Sequence, residues 1–307
     1  FMSLCLGIVI GGVQKGIERW SKILMPILFV LMALLFMNGL LSPGAWQGIT
    51  FMFRPDFAKL TPAAVLEAMG HAFFTLSLGM AAMITYGSYL SKQEDLLGAS
   101  LRVVVLDTVI ALMAGIAIFS VVFSVGMQPG AGPGLVFKTI PVVFSQLPGG
   151  HLLAIVFFLL LAFAALTSNI SLLEASVAYL IDERGWSRPR ATWFLAGLAF
   201  VVGIPTALSY NTLAEWKVIG DRVFFDSVDM LVSNYFLPLS GLLIAIYVGW
   251  FWSGTEEKQE LIAGGAGWVY PTWHFLIRYV SPLAVAVVLF FKMKETGLFA
   301  WFAALLQ

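Results

Sequence analysis

Long apolar runs, separated by short polar or Gly/Pro-rich segments, dominate the hydropathy pattern of the chain. A helix needs about 20 apolar residues to cross the hydrocarbon layer of a bilayer. The pattern therefore predicts an all-α integral membrane protein with about eight membrane segments. Phe1–Gly12 is half a span, and Thr296–Leu306 is apolar but too short to cross. The full-length candidates are Ile17–Leu41, Val65–Leu90, Leu97–Met127, Leu152–Ile181, Ala191–Leu208, Phe225–Trp252 and Phe275–Lys292.

Composition and charge narrow the class further. Hydrophobic residues make up 60% of the chain and charged residues 11%, against about 25% charged residues in soluble domains. The formal net charge is 0 and no basic block is present, which argues against a nucleic-acid partner. Lys and Arg are modestly enriched on the side that carries Gly12–Lys22, so we expect that side to be cytoplasmic. Since Phe1 opens inside an apolar run, we also expect the natural protein to have an upstream part.

The segment Phe73–Met80 interrupts a membrane-length run with polar residues and a glycine. Thr75 and Ser77 would point about 200° apart on a continuous helix, so they can serve one site only if the helix breaks near Ser77–Gly79. A broken helix exposes carbonyl groups at one end, and these attract cations. The alternative is a continuous helix whose hydroxyls bond back to its own carbonyls. The sequence leaves both alternatives open.

A second polar group lies in the middle of Leu152–Ile181. Ala164, Thr167 and Ser168 are spaced i, i+3 and i+4, which places them on one helix face. Two hydroxyls and a carbonyl with a spare lone pair suit a small dehydrated cation. Small residues at this spacing are also typical of plain helix packing in membranes.

Two acidic residues lie within apolar runs. A carboxylate in hydrocarbon costs about 2.5–3.5 kcal/mol, so it usually meets a cation or a donor. Asp107 cannot pair with Arg102, because five residues of helix separate the two side chains by about 140°; a bound cation is the better candidate. Glu174 either guards a cytoplasmic exit or bonds a neighbouring helix, and the sequence does not decide between the two.

The chain resembles bacterial members of the neurotransmitter:sodium symporter family, which have the LeuT fold. The resemblance runs through Gly11–Glu18, Met25–Pro26, Phe73–Tyr89, Gly132–Phe137, Leu166–Ser168 and Asp226–Pro238, in family order. It implies a single transmembrane transporter domain over 1–307, part of an inverted-repeat bundle that lacks its first three helices. Residues 1–41 would end the first repeat, 65–252 would form the second, and 272–293 would be an additional helix.

The resemblance also implies roles for individual residues. The first sodium ion would be bound by Thr75 and Asp107. Many relatives have a neutral residue in place of this acid, so the acid predicts that no chloride is required. The remaining roles concern the second sodium ion (Ala164, Thr167, Ser168), the substrate pocket (Phe74, Thr75, Ser77, Met80, Ser168, Leu172) and gating (Tyr89, Asp182, Asp229, Gly16, Pro26).

The function implied is sodium-coupled import of an amino acid across the cell (inner) membrane. The flexible Met80 favours a hydrophobic or aromatic substrate. The partners are thus a small-molecule substrate and the lipid bilayer, with the oligomeric state left open, and the protein is not expected to be an enzyme. Two alternatives remain: a proton-coupled carrier that uses Asp107 and Glu174, and a non-transporting receptor or regulatory subunit with the same fold.

Overall fold

In a computed structural model, the protein is described over residues 1–307 except for 92–93, 131–133, 253–257, 260–266 and 296–307. The prediction for Thr296–Leu306 and part of the Gly132–Phe137 block lie outside the described residues. The chain divides into two compact units: Phe1–Phe57 with Val105–Leu173, and Ala58–Val104 with Glu174–Gln307. Two long helices run from one unit into the other, α6 (Leu96–Ser124) and α8 (Gly150–Arg184).

The first unit contains the N-terminal helices and the larger parts of α6 and α8. Its elements in chain order are α1 (Met2–Ile10), a π-helical segment (Val13–Glu18), α2 (Arg19–Leu41), α3 (Ala45–Phe53), a second π-helical segment (Leu135–Thr139) and α7 (Ile140–Ser145). Its core combines side chains from α2, α6, α7 and α8, among them Leu35, Val122, Val143, Phe144 and Phe157. The long segments between predicted spans therefore carry helices of their own, and α7 contributes to this core.

The second unit contains an interrupted helix and the C-terminal helices. Its elements are α4 (Pro62–Thr75), α5 (Ala82–Ser88), α9 (Arg188–Leu208), β1 (Lys217–Ile219), β2 (Arg222–Val223), α10 (Phe224–Leu231), a π segment (Val232–Phe236), α11 (Leu237–Ile246), a π segment (Tyr247–Phe251), α12 (Tyr270–Phe275), a π segment (Leu276–Val280) and α13 (Ser281–Glu295). The strands β1 and β2 pair antiparallel as a short hairpin. Single-turn 3-10 helices lie at Phe57–Lys59 and Gly267–Val269.

Six helical stretches among the described residues are long and apolar enough to cross a membrane. Six of the seven predicted full-length spans correspond to these stretches, and most of their ends agree to within a few residues. The largest difference is in the last stretch, which begins at Gly267, eight residues before the predicted start at Phe275. The earlier start adds Trp268, Tyr270 and Trp273, whose polar ring atoms interrupt the apolar pattern. The six stretches are Val13–Leu41, Leu96–Ser124, Gly150–Arg184, Arg188–Leu208, Phe224–Phe251 and Gly267–Phe291. The protein is therefore a multi-pass membrane protein.

Candidate functional site

Of the two alternatives that the sequence leaves open for Phe73–Met80, the structure shows the broken helix. Helix α4 ends at Thr75, and α5 begins at Ala82 after a left-handed residue, Ala81. Between them Ser77 and Gly79 have φ angles of 54° and 79°, which only glycine adopts without strain. A side chain on Gly79 would also lie 2.5 Å from the carbonyl oxygen of Leu237. The turn is thus specified both by backbone conformation and by close packing against α11.

The predicted substrate residues of the second unit lie on this interrupted segment. Phe74 and Thr75 are exposed at the end of α4, whereas Ser77 and Met80 in the turn are half-buried. The last turn of α4 directs carbonyl groups, and the negative end of the helix dipole, toward the interruption. The segment can therefore offer oxygen atoms to a cation beside an aromatic and a thioether side chain.

The hydroxyl cluster of α8 lies in the first unit. Thr167 Oγ1 donates a hydrogen bond of 2.9 Å to the carbonyl oxygen of Ala164. This bond orients the hydroxyl proton toward the helix, so the lone pairs of Thr167 Oγ1 face away from that carbonyl, which also accepts the helical N–H of Ser168. Ser168 and Leu172 are exposed on the same helix. The geometry fits both a cation site and ordinary back-bonding of a hydroxyl.

An apolar cavity of about 490 Å³ lies close to this cluster in the first unit. Ala164 is part of its wall, together with side chains of α2, α6 and α7. Asn38 supplies an amide, and the other lining side chains are apolar. The cavity therefore offers almost no ligands to a cation and is distinct in chemistry from the Thr167 cluster.

Asp107 lies on α6 in the first unit and is half-buried. The Nε atom of Arg102, five residues earlier, donates to the carbonyl oxygen of Gly98, at 3.0 Å on the same helix. This contact agrees with the helical-rotation argument made from the sequence. Asp229, a predicted gating residue on α10, accepts a hydrogen bond from Ser233 Oγ at 3.0 Å.

Glu174 is the centre of a polar cluster in the second unit, and its side chain is fully buried. Both of its carboxylate oxygens accept from Arg188, at 2.6 and 2.9 Å, and Tyr89 Oη donates to Glu174 Oε1 at 2.7 Å. The cluster joins the segment after α5 to the end of α8 and the start of α9. The sequence leaves two hypotheses for Glu174, a guard at a cytoplasmic exit or a bond to a neighbouring helix, and the structure shows the bond.

Sequence reasoning missed Arg188 as the partner of Glu174. A signal was available, since a buried acid near the end of one helix was followed, across a short turn, by arginines at the start of the next. The sequence also predicts gating roles for Tyr89 and Asp182. Asp182 is exposed, and its gating role stays a prediction.

Gly16 and Pro26, two of the predicted gating residues, lie in the first unit. Gly16 is buried within the π-helical segment Val13–Glu18, and a side chain there would overlap with the carbonyl oxygen of Ile8. Pro26 lies inside α2. Wide π turns are frequent at functional positions of helices, which is consistent with a weak point at Gly16.

A short hairpin region follows α9, and Tyr210 at its start lies outside the membrane-spanning stretches. Tyr210 Oη donates to Asp226 Oδ1 at 2.5 Å, and the backbone N–H of Phe225 donates to Ser209 Oγ at 2.9 Å. Partial burial, with the hydrogen bond to Asp226, raises the pKa of Tyr210 to about 12. The phenol therefore remains a neutral donor throughout the physiological pH range and holds α10 in place beside α9.

These features define a multi-pass membrane protein with an interrupted helix and a hydroxyl cluster on a second helix. The family model of the sodium:neurotransmitter symporter family matches residues 1–301. The chain belongs to this family.

Comparison with individual relatives agrees with that assignment. The chain is 42% identical to the uncharacterized sodium-dependent transporter YhdH of Bacillus subtilis, over 94% of the chain and 64% of YhdH. It is 37% identical to an uncharacterized sodium-dependent transporter of Haemophilus influenzae, over 90% of the chain and 60% of the relative. The crystal structure of MhsT in complex with L-phenylalanine matches with a TM-score of 0.85 and 44% identity, over 95% of the chain and 66% of MhsT. The chain thus spans less than two thirds of the length of these relatives.

Proposed function

We propose that the protein carries an amino acid into the cell by sodium symport. The observation that carries this proposal is the interrupted helix of the second unit, where Phe74, Thr75, Ser77 and Met80 are presented around a non-helical turn. An unwound segment inside a membrane helix persists mainly where it lines a binding cavity. The chain belongs to a family of sodium symporters, so the substrate of such a cavity is expected to be carried together with sodium.

A hydrophobic or aromatic amino acid is the substrate class we propose. The similar protein MhsT is described in complex with L-phenylalanine. In this chain the side chains at the interruption include an exposed ring, Phe74, and a flexible thioether, Met80. A thioether adapts its shape to large apolar groups, so both residues suit an aromatic side chain.

The proposed sodium ligands are oxygen atoms from three helices. Thr75 and Asp107 would bind the first sodium ion, and the Ala164 carbonyl with Thr167 and Ser168 would bind the second. The bond from Thr167 to Ala164 supports the second set, because it places the two oxygens 2.9 Å apart and leaves the lone pairs of Thr167 Oγ1 available. We propose that no chloride is required, since Asp107 supplies the compensating negative charge itself.

Sodium coupling is favoured over proton coupling by the contacts of Glu174. A proton carrier must alternate between charged and neutral forms during the cycle. The carboxylate of Glu174 instead accepts hydrogen bonds from both Nη atoms of Arg188 and from Tyr89 Oη. These contacts suit a carboxylate that stays ionised. Asp107 alone would then have to carry the proton.

Uptake of radiolabelled L-phenylalanine into proteoliposomes tests the proposal, with the protein expressed from its complete gene. We expect uptake driven by an inward sodium gradient, no uptake when choline replaces sodium, and no change when gluconate replaces chloride. A proton-coupled carrier would keep its uptake in choline and follow an imposed pH gradient. A receptor of the same fold would bind the amino acid without accumulating it.

Thr167→Ala tests the second sodium site directly. We expect it to reduce the apparent affinity for sodium by at least about tenfold, because a charge-assisted ligand is worth roughly 1.5–3 kcal/mol. Thr206→Ala is the matched control: Thr206 Oγ1 bonds back to the carbonyl of Val202 in α9 in the same manner. Equal effects of the two substitutions on sodium affinity would contradict the assignment of Thr167.

A further inference from the structure

An arginine that forms no ion pair with a carboxylate among the described residues lies in the second unit, outside the proposed transport site. Arg278 belongs to the π-helical segment Leu276–Val280. Among the described residues, its guanidinium contacts two ring faces, those of Trp250 and Tyr279, at 4.6 and 5.6 Å from the ring centroids. Its Nη1 atom is 3.5 Å from His274 Nε2. Its Nε atom is buried and has no hydrogen-bond acceptor among the described residues.

The depth of Arg278 follows from its contact with the preceding span. Trp250 is the penultimate residue of the stretch Phe224–Phe251, and its indole Nε1 donates to the carbonyl oxygen of Arg278 at 3.0 Å. Arg278 is therefore level with the end of that helix, where membrane meets water. The Lys and Arg distribution predicts that this end is cytoplasmic. Arginine side chains at such a level bury the stem and extend the charged head toward the interface.

Further basic and polar groups follow Arg278 toward the N-terminal end of its helix. His274 lies one turn away, and Tyr270 Oη is 3.4 Å from His274 Nδ1. The ammonium group of Lys258 is 5.9 Å from the ring centroid of Tyr270. Arg278, His274, Tyr270 and Lys258 thus form a row of hydrogen-bond donors and basic side chains, which we name the basic row.

The surroundings of the basic row are aromatic and exposed. Trp250 is 55% exposed, Phe275 57% and Trp268 80%. Amphipathic rings of this kind concentrate at the level of lipid headgroups, where the rings contact acyl chains and the polar atoms contact water. A small soluble anion would gain nothing from these apolar faces, whereas a lipid would contact them and the row together.

We propose that the basic row binds the headgroup phosphate of an anionic phospholipid. The phosphodiester oxygens accept from the Nη atoms of Arg278, while Lys258 and His274 lie along the headgroup. Planar guanidinium groups bind phosphate through paired N–H donors, and basic pockets between membrane helices on the cytoplasmic side suit anionic headgroups. The acyl chains then pack along the exposed rings of Trp250 and Phe275.

Native mass spectrometry of the detergent-solubilised protein, expressed from its complete gene, tests this proposal. The protein is titrated with phosphatidylglycerol and, separately, with phosphatidylcholine of the same chain length. We expect phosphatidylglycerol to bind with higher affinity, and Arg278→Gln to weaken its binding by at least about fivefold. Arg102→Gln is the control, because Arg102 is an exposed arginine that bonds its own helix, and it should leave lipid binding unchanged.

Two further measurements keep the test decisive. Lys258→Gln removes an exposed charge, so it should weaken phosphatidylglycerol binding even if Arg278→Gln does not fold. Inorganic phosphate at equal concentration should not displace the lipid; displacement would show that a soluble anion is the ligand and would overturn the proposal. Equal retention of the two lipids by the wild-type protein, or unchanged binding in both the Arg278 and Lys258 variants, would also overturn it.

Discussion

At the scale of single residues, Glu174 shows how a charge is stabilised inside a membrane protein. Its carboxylate is fully buried and bonded by Arg188 and Tyr89. Glu174→Ala would leave Arg188, whose side chain is only 24% exposed, without its counter-charge. Removing one partner of a buried pair costs about 3–5 kcal/mol. We expect a large drop in the thermal unfolding temperature of the protein in detergent.

An exposed ion pair provides the control for this prediction. Lys22 and Glu18 form a salt bridge at 2.6 Å, with both side chains at least half-exposed. Exposed pairs contribute about 0–1 kcal/mol, so Glu18→Ala should change the unfolding temperature little. If Glu174→Ala and Glu18→Ala have the same small effect, the Glu174 cluster does not stabilise the fold.

At the scale of elements, the interruption between α4 and α5 depends on Gly79. Any side chain at this position would meet the Leu237 carbonyl oxygen, and the φ angle of 79° would be strained. We expect Gly79→Ala to abolish sodium-dependent phenylalanine binding in a scintillation proximity assay. The turn cannot keep its shape, and the carbonyl groups after Phe74 would be redirected.

Gly70→Ala is the matched control for Gly79→Ala. Gly70 lies inside α4, and a side chain there would have no neighbour within 4 Å among the described residues. Alanine favours a helix over glycine by about 1 kcal/mol, so Gly70→Ala should preserve binding and stabilise the helix slightly. Wild-type binding in the Gly79 variant would show that the substrate does not depend on the interruption.

The helix that contains Gly16 and Pro26 yields a prediction about dynamics. The π-helical segment Val13–Glu18 and the missing N–H of Pro26 both weaken the regular hydrogen-bond ladder. Hydrogen–deuterium exchange should therefore be faster across 13–26 than across 28–38 of the same helix. Pro26→Ala restores a donor and should slow exchange at 22–26. Uniform exchange along the whole helix would contradict a hinge at this position.

At the scale of the whole molecule, periodicity predicted most of the architecture. Spans are long and nearly uniformly apolar, so their positions follow from hydropathy alone. The break at Gly79 was one of two open alternatives, because a glycine permits a turn without requiring one; the carbonyl of Leu237, far away in sequence, decides it. Arg188 was missed for a related reason, since a side-chain partner leaves no trace in the periodicity of its helix.

Sodium binding should stabilise the whole molecule. A ligand that binds only the folded state adds RT ln(1 + [L]/Kd), which is about 2.7 kcal/mol at a hundred times Kd. If oxygen ligands such as Thr167 and Asp107 hold sodium, sodium chloride should raise the unfolding temperature above that in choline chloride at equal ionic strength. The increase should shrink in Thr167→Ala and persist in Thr206→Ala, whose hydroxyl has the same bond to its own helix. Equal stabilisation by the two salts would remove the physical basis for sodium coupling, because a carrier driven by sodium must bind it.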